Sequence, residues 1–285
     1  VNSLRQESKV TILNCLGKTL ELGMSTRIMG ILNVTPDSFS DGGNYTSSDQ
    51  AIEHAVLMQK QGAAILDVGG QSTRPGYSEV SEADEISRVV PIIEALKGKL
   101  TIPISIDSYR ASVAKAALTA GAHLINDQHG FQGDELMPHV ASDWKCPVIL
   151  MHCDKHLATQ AGSLIDCLKR YFESSLKIAD RFSIPHSRLI LDPGIGFYKT
   201  QPQNLEIIAK LSELRTFGLP LLLGASRKSV IAHVLGGDPQ DRLEGTLVTS
   251  ALAAAEKIEI IRVHDVKANL RAVGMAEAVF NARNT

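Results

Sequence analysis

Eight short apolar runs, each carrying a polar residue at or near its end, recur along the chain and constrain its fold more than any other feature. "RIMGILN" ends at Asn33, "AAILDVGG" contains Asp67, "IPISIDS" contains Asp107, and "AHLIND" ends at Asn126 and Asp127. "PVILMH" ends at His152, "RLILDPG" contains Asp192, "LPLLLGASRKS" leads into Ser226, Arg227 and Lys228, and "IIRVHD" contains Arg262 and His264. The runs are rich in Ile, Leu and Val and lack polar/apolar alternation, which is how strands buried on both faces read. Their shortness and their Gly, Pro or Asp stops favour strands over buried helices.

Between the runs lie amphipathic segments of helical length. "SDQAIEHAVLMQKQGA" gathers Ala51, Ile52, Ala55, Val56 and Met58 on one face. "SEADEISRVVPIIEALKGK" opens on Ser81 with Asp84 three residues on, a predicted N-cap. "SLIDCLKRYFESSLKIADRF", "GTLVTSALAAAEK" and "DVKANLRAVGMAEAVFNAR" continue the pattern, and "GDELMPHVASDW" is a shorter candidate. Strand-helix alternation repeated eight times predicts an α/β fold, a closed (β/α)8 TIM barrel of the size usual for that architecture. A doubly wound open sheet is the alternative. "VTILNCLGKTLELG" precedes the first barrel strand and is predicted to form an N-terminal β-hairpin covering the bottom. Residues 1–285 read as a single domain.

Composition excludes several classes. The net charge is −2 with acids and bases mixed, so no basic block exists to bind nucleic acid electrostatically. No apolar stretch reaches membrane-spanning length. "VNSLRQESKV" lacks the layout of a secretory signal, and the four cysteines include no Cys-x-x-Cys pair. Free thiols in a reducing cytoplasm are expected.

Barrels of this kind carry their active site at the C-terminal ends of the strands. Asn33, Asp67, Asp107, Asn126, Asp192, Lys228, Arg262 and His264 would form one polar ring there. A single terminal Asp or Asn is ordinarily a cap or a turn residue; the whole set, with Arg-x-His and Ser-Arg-Lys beside it, is less easily explained that way. Carboxylates and amides suit a flat heterocycle rich in N–H donors, since a carboxylate accepts two parallel hydrogen bonds from an amidine-like edge. Arg74, Lys228, Arg262 and His264 suit a phosphate or pyrophosphate. Glycine-bearing loops at 35–43 and 69–76 are long enough to act as lids. The residues point to a barrel enzyme for a phosphorylated heterocyclic substrate.

"GILNVTPDSFSDGG", "DVGGQSTRPG", "LDPGIGF", "SRKS" and "RVHD" resemble the signature stretches of the dihydropteroate synthases of folate biosynthesis, in that family's order. The resemblance runs from about Arg27 to the C-terminus. It implies condensation of 6-hydroxymethyl-7,8-dihydropterin pyrophosphate with p-aminobenzoate, giving 7,8-dihydropteroate and pyrophosphate. It also implies a need for Mg2+, inhibition by sulfonamides and a homodimer formed through outer helices. By resemblance, Asp107, Asn126, Asp192 and Lys228 hold the pterin, with Asp107 and Lys228 catalytic. Asn33, Arg74, Arg262 and His264 hold the pyrophosphate, Asn33 also taking the metal. Phe39, Thr73, Pro75, Phe197 and Ser226 shape the p-aminobenzoate site. The chain departs from the commonest pattern at Gln71, at Ser108, Tyr109 and Arg110, at Gln128 and His129, and in "MHCDKH".

Blander and rival readings stand beside these. His152, Cys153, Asp154 and His156 in "HCDKH" have no usual zinc spacing and read as loop composition. Cys153 has no evident base and is not expected to be a nucleophile. Lys228 invites comparison with Schiff-base lysines, with Arg227 beside it to depress its pKa. A pterin-dependent methyltransferase would share the barrel and the Asp/Asn pocket but would not need Arg74, Arg262 and His264. A pterin-binding protein without activity is the non-catalytic alternative.

Overall fold

The computed structural model describes residues 10–35, 47–71 and 80–283. Two antiparallel strands come first, β1 (Thr11–Cys15) and β2 (Lys18–Leu22). Leu16 and Gly17 join them, both at positive φ (50° and 94°), the backbone a tight two-residue hairpin needs. The eight apolar runs supply the remaining strands: β3 (Arg27–Asn33), β4 (Ile65–Gly69), β5 (Ile104–Asp107), β6 (Leu124–Asp127), β7 (Val148–Met151), β8 (Leu189–Asp192), β9 (Leu222–Leu223) and β10 (Ile260–Val263). They pair in parallel in the order β8-β7-β6-β5-β4-β3-β10-β9. A parallel bridge between Leu191 and Leu221, with Leu191 N donating to Pro220 O at 2.9 Å, brings the two edges together. The sheet curls into a barrel, as expected, and is not an open doubly wound sheet.

Helices follow the strands: α1 (Ser47–Lys60), α2 (Glu82–Leu96), α3 (Ala111–Ala120), α4 (Met137–Trp144), α5 (Leu164–Arg181), α6 (Gln201–Ala209), α7 (Ser229–Leu235), α8 (Leu243–Ala255) and α9 (Val266–Ala282). Ser81 caps α2 as predicted, its Oγ accepting from Asp84 N at 3.1 Å. The "GDELMPHVASDW" segment is helical only over Met137–Trp144, and Asp134 lies ahead of the helix. Its Oδ2 accepts from Ala111 N at 2.7 Å, at the start of α3. None of the helices described is long and apolar enough to cross a membrane.

Two hydrophobic clusters explain why the strands read as unbroken apolar runs. Side chains alternate across a strand, so every second residue faces the helices and the rest face the barrel axis. Ile28, Leu32, Leu66, Val68, Ile125, Leu150 and Leu191 join the outer cluster with the helices. Met29, Ile65, Leu124, Ile149, Ile190, Leu222 and Ile260 form an inner layer at the strands' N-terminal ends. Leu13, Cys15, Leu20 and Leu22 of the hairpin pack against that layer and plug the bottom. Burying each leucine there contributes about 1.5–3 kcal/mol. Lys18 Nζ fastens the hairpin by donating to Leu100 O at 2.7 Å and Ile102 O at 2.8 Å. Two residues above each inner apolar position comes the next axis-facing slot, and there the chain places Asp67, Asn126, Asp192 and Arg262.

Candidate active site

The polar slots open into a cavity of about 270 Å3 at the C-terminal ends of the strands. Asn33, Asp107, Phe197, Ser226, Lys228, Arg262 and His264, all expected site residues, border it, together with Gln71, Gly224, Arg227, Ser229 and Arg242. Asp192 and Asn126 lie deeper, each 4% exposed. Asp192 Oδ2 is 3.8 Å from where a side chain on Gly224 would begin, so a glycine keeps the cavity wall open above that carboxylate. Phe39, Thr73, Arg74 and Pro75, and most of both expected lids, fall outside the described residues.

Arg262 is the centre of the floor. Its Nε donates to Asp67 Oδ2 at 2.6 Å and its Nη2 to Asp107 Oδ2 at 2.5 Å. Three of its five N–H groups remain beyond those two bonds. Burial would lower the guanidinium's pKa, but Asp107 and Asp67 outweigh it and raise it above the ordinary value. Burial pushes the Asp107 carboxyl up to about 6, against the pull of Arg262. Asp107 Oδ1 accepts from Gln128 Nε2 at 2.7 Å.

Asp67 is fully buried and also accepts from Asn126 Nδ2 at 3.0 Å. An ionised carboxylate only accepts, so it turns the amide nitrogen of Asn126 inward and the oxygen away. Asn126 Oδ1 and Asp67 Oδ1 are buried without a hydrogen-bond partner. Asp192 Oδ1 accepts from Gly194 N at 2.8 Å. Burial raises its pKa, opposed by Lys228. Unpaired buried acceptors under a cationic wall are costly unless a ligand brings N–H groups to them.

The opposite wall is built from the turn after β8 and the segment after β9. Lys228 Nζ donates to Ile195 O at 2.6 Å and stands 4.9 Å from the Phe197 ring centre. Burial lowers its pKa to about 8, partly offset by Asp192. The expectation that Arg227 depresses this lysine is corrected: Arg262 is the cation that acts on it. Arg227 is committed to a two-bond pair with Asp265, Nε to Oδ2 at 2.9 Å and Nη2 to Oδ1 at 2.6 Å. Ser226 Oγ accepts from His264 N at 3.2 Å and lies 3.0 Å from His264 Nδ1.

Two residues carry more of the site than the sequence suggested: Asp67, which orients Arg262 and Asn126, and Gln128, which holds Asp107. The departures from the family pattern are neighbours in space. Tyr109 stacks on His129 with ring centres 4.7 Å apart. Arg110 Nη1 donates to Glu85 Oε2 at 2.7 Å and to Gln71 Oε1 at 3.2 Å. No group of metal-ligating side chains occurs among the described residues. In "HCDKH", Asp154 accepts from His156 N at 2.8 Å and from Gln160 Nε2. Burial pushes the Cys153 thiol up to about 11, consistent with an unreactive cysteine.

Residues 29–264 match the family described as pterin binding enzyme. The dihydropteroate synthase of Clostridium beijerinckii is 46% identical over 263 residues, covering 92% of this chain and 97% of that one. A crystal structure of the Clostridium difficile dihydropteroate synthase in the presence of pteroic acid superposes with a TM-score of 0.87 at 45% identity. The match covers 90% of this chain and 98% of that one. The Yersinia pestis dihydropteroate synthase, in a sulfonamide drug complex, superposes with a TM-score of 0.87 at 42% identity, covering 95% and 99%.

Proposed function

The chain belongs to the dihydropteroate synthase family of pterin-binding enzymes, and we propose that it carries out that family's reaction at the mouth of its barrel. It joins 6-hydroxymethyl-7,8-dihydropterin pyrophosphate to p-aminobenzoate and releases 7,8-dihydropteroate and pyrophosphate. The observation that carries this reading is the pairing of unsatisfied buried acceptors with a cationic rim. Asp192 and Asn126 Oδ1 supply acceptors for the 2-amino and N3–H edge of a pterin. Lys228 donates to the 4-oxo group and N5. Asn33, Arg262 and His264, which border the same cavity, take the pyrophosphate, and Arg74 belongs with them.

Chemically, the transferred carbon hangs from an electron-rich dihydropterin, so departure of pyrophosphate leaves a delocalised cation. Asp107 is a largely buried carboxylate at the cavity edge, held at both oxygens by Gln128 and Arg262, so it is oriented before charge develops. Arg262 serves both partners of the separation, pairing with Asp107 while its remaining N–H groups face leaving-group charge. The arylamine then attacks from the side lined by Phe197 and Ser226, a site that Phe39, Thr73 and Pro75 complete. A sulfonamide occupies that same site.

Mg2+ fits this arrangement. Magnesium commonly binds through one or two protein oxygens with substrate phosphates and water completing its shell. The cavity offers such a partial set, with the Asn33 amide oxygen beside Asp107 at the ends of β3 and β5. Asn33 would hold the ion, which would supply neutralisation of leaving-group charge. A homodimer is part of the reading, supported by exposed Leu235 on α7, Val248 and Leu252 on α8, and Met275 and Val279 on α9. So is a cytoplasmic location.

The test is a pyrophosphate-release assay with p-aminobenzoate present and absent. Release of one pyrophosphate per dihydropteroate, dependent on both substrates and Mg2+, is the expected result. Tight pterin binding without turnover would favour the non-catalytic alternative, and methyl transfer would favour the methyltransferase.

A further inference from the structure

Beneath the Phe197 wall lies a buried lysine that the chemistry above leaves without a task. Lys199 is 9% exposed. Its Nζ lies 2.9 Å from Gly194 O, 3.0 Å from Phe197 O, 3.2 Å from His152 O and 3.0 Å from His152 Nδ1. Burial lowers its pKa to about 7 and that of His152 to about 3, so His152 is neutral. The Nζ has up to three N–H groups, enough for the three backbone carbonyls around it. His152 Nε2 is buried without a hydrogen-bond partner. A desolvated amine and an unpaired ring nitrogen are tolerated together at a spot whose visible result is the gathering of backbone carbonyls.

The same turn is pressed against the same strand end by Gly194. Its φ is +67°, and a Cβ there would stand 2.1 Å from His152 O, so only glycine fits. From the cavity side, Lys228 grips the turn through Ile195 O and faces the Phe197 ring. Phe197 thus hangs between two lysines, one in the cavity wall and one below it.

We propose that Lys199 is a positioning residue for the arylamine site: it draws the Phe197 and Gly194 carbonyls onto the end of β7 and so sets where the Phe197 ring stands. The inference rests on the reading of Phe197 as part of the p-aminobenzoate site. Its effect should fall mainly on the arylamine, because Phe197 hangs from a carbonyl that Lys199 holds directly, whereas Asn126 is held by Asp67; Asp192 feels Lys199 only through its charge and through the Gly194 turn.

Steady-state kinetics with both substrates varied test it, on Lys199→Met and Lys199→Gln, each alone and combined with Phe197→Leu. Misplacing a binding group by about 1 Å is enough to cost up to about 100-fold, so the KM for p-aminobenzoate is expected to rise about tenfold or more. The KM for the pterin substrate should rise clearly less. In the Phe197→Leu background the added lysine change should have much less effect, because the two residues act as a unit. Lys199→Gln keeps two neutral donors of similar reach and decides the matter if Lys199→Met does not fold. An unchanged p-aminobenzoate KM, equal rises in both KM values, or additive effects with Phe197→Leu would overturn the proposal. A wild-type enzyme that fails to turn over the two substrates would instead overturn the functional reading beneath it.

Discussion

Asp67→Asn probes the floor of the site by changing charge at constant volume. Asp67 Oδ2 accepts from Arg262 Nε and Asn126 Nδ2, while Oδ1 is buried with no partner. If the new amide keeps its oxygen at the Oδ2 position, its NH2 takes the buried Oδ1 position, where the carboxylate has no partner. If it flips, the NH2 meets two donors. Leaving a buried donor unsatisfied costs about 1–3 kcal/mol, and losing charge assistance on the guanidinium bond adds about 1 kcal/mol. Arg262 keeps Asp107 as a partner, so the loss stays below that of a buried ion pair broken outright, about 3–5 kcal/mol. The expected destabilisation is therefore about 2–4 kcal/mol, which a fold stable by about 5–15 kcal/mol survives. Urea unfolding should show a lower midpoint at an unchanged slope. Calorimetry should show weaker pterin binding, because the amide of Asn126 is no longer turned by a carboxylate. An unchanged midpoint together with unchanged pterin affinity would refute the reasoning that Asp67 orders this site.

Three further outcomes are expected. Asp192→Asn should weaken pterin binding by about 1.5–3 kcal/mol without unfolding the protein, read by calorimetric titration; unchanged binding would remove Asp192 from the site. A sulfonamide should compete with p-aminobenzoate in steady-state kinetics, and a noncompetitive pattern would separate the two sites. The pH profile of kcat/KM for the pterin substrate should be bell-shaped. Asp107 must be ionised, so activity falls as pH drops through about 6; Lys228 must be protonated, so it falls as pH rises through about 8. A profile flat across about pH 5–9 would contradict those roles.

The barrel and its polar ring were legible in the sequence because each strand carries its own signal. A short apolar run places one polar residue in the axis-facing slot near its end, and that slot is fixed by counting. Which slots meet across the barrel is not fixed by counting, since it depends on strand stagger and side-chain reach. Asp67 therefore read as one ring member among several, although it ties Arg262 to Asn126. Gln128 and Tyr109 read as isolated departures because their partners belong to the neighbouring strand–loop unit, Asp107 at the end of β5 and His129 in the turn after β6. Lys199 carries no signal of its own in the sequence. Its burial follows from the contact of Gly194 with His152, 42 residues apart in the chain, which no local pattern encodes.

A structure of the protein bound to 7,8-dihydropteroate tests the central claim most directly. The product carries both halves of the joined substrates, so one complex locates both subsites. The account predicts the pterin inside the barrel mouth, its 2-amino and N3–H edge on Asp192 and Asn126, with the aminobenzoate ring against Phe197. A pterin seated outside this cavity, or seated inside it with that edge turned away from Asp192, would contradict the account.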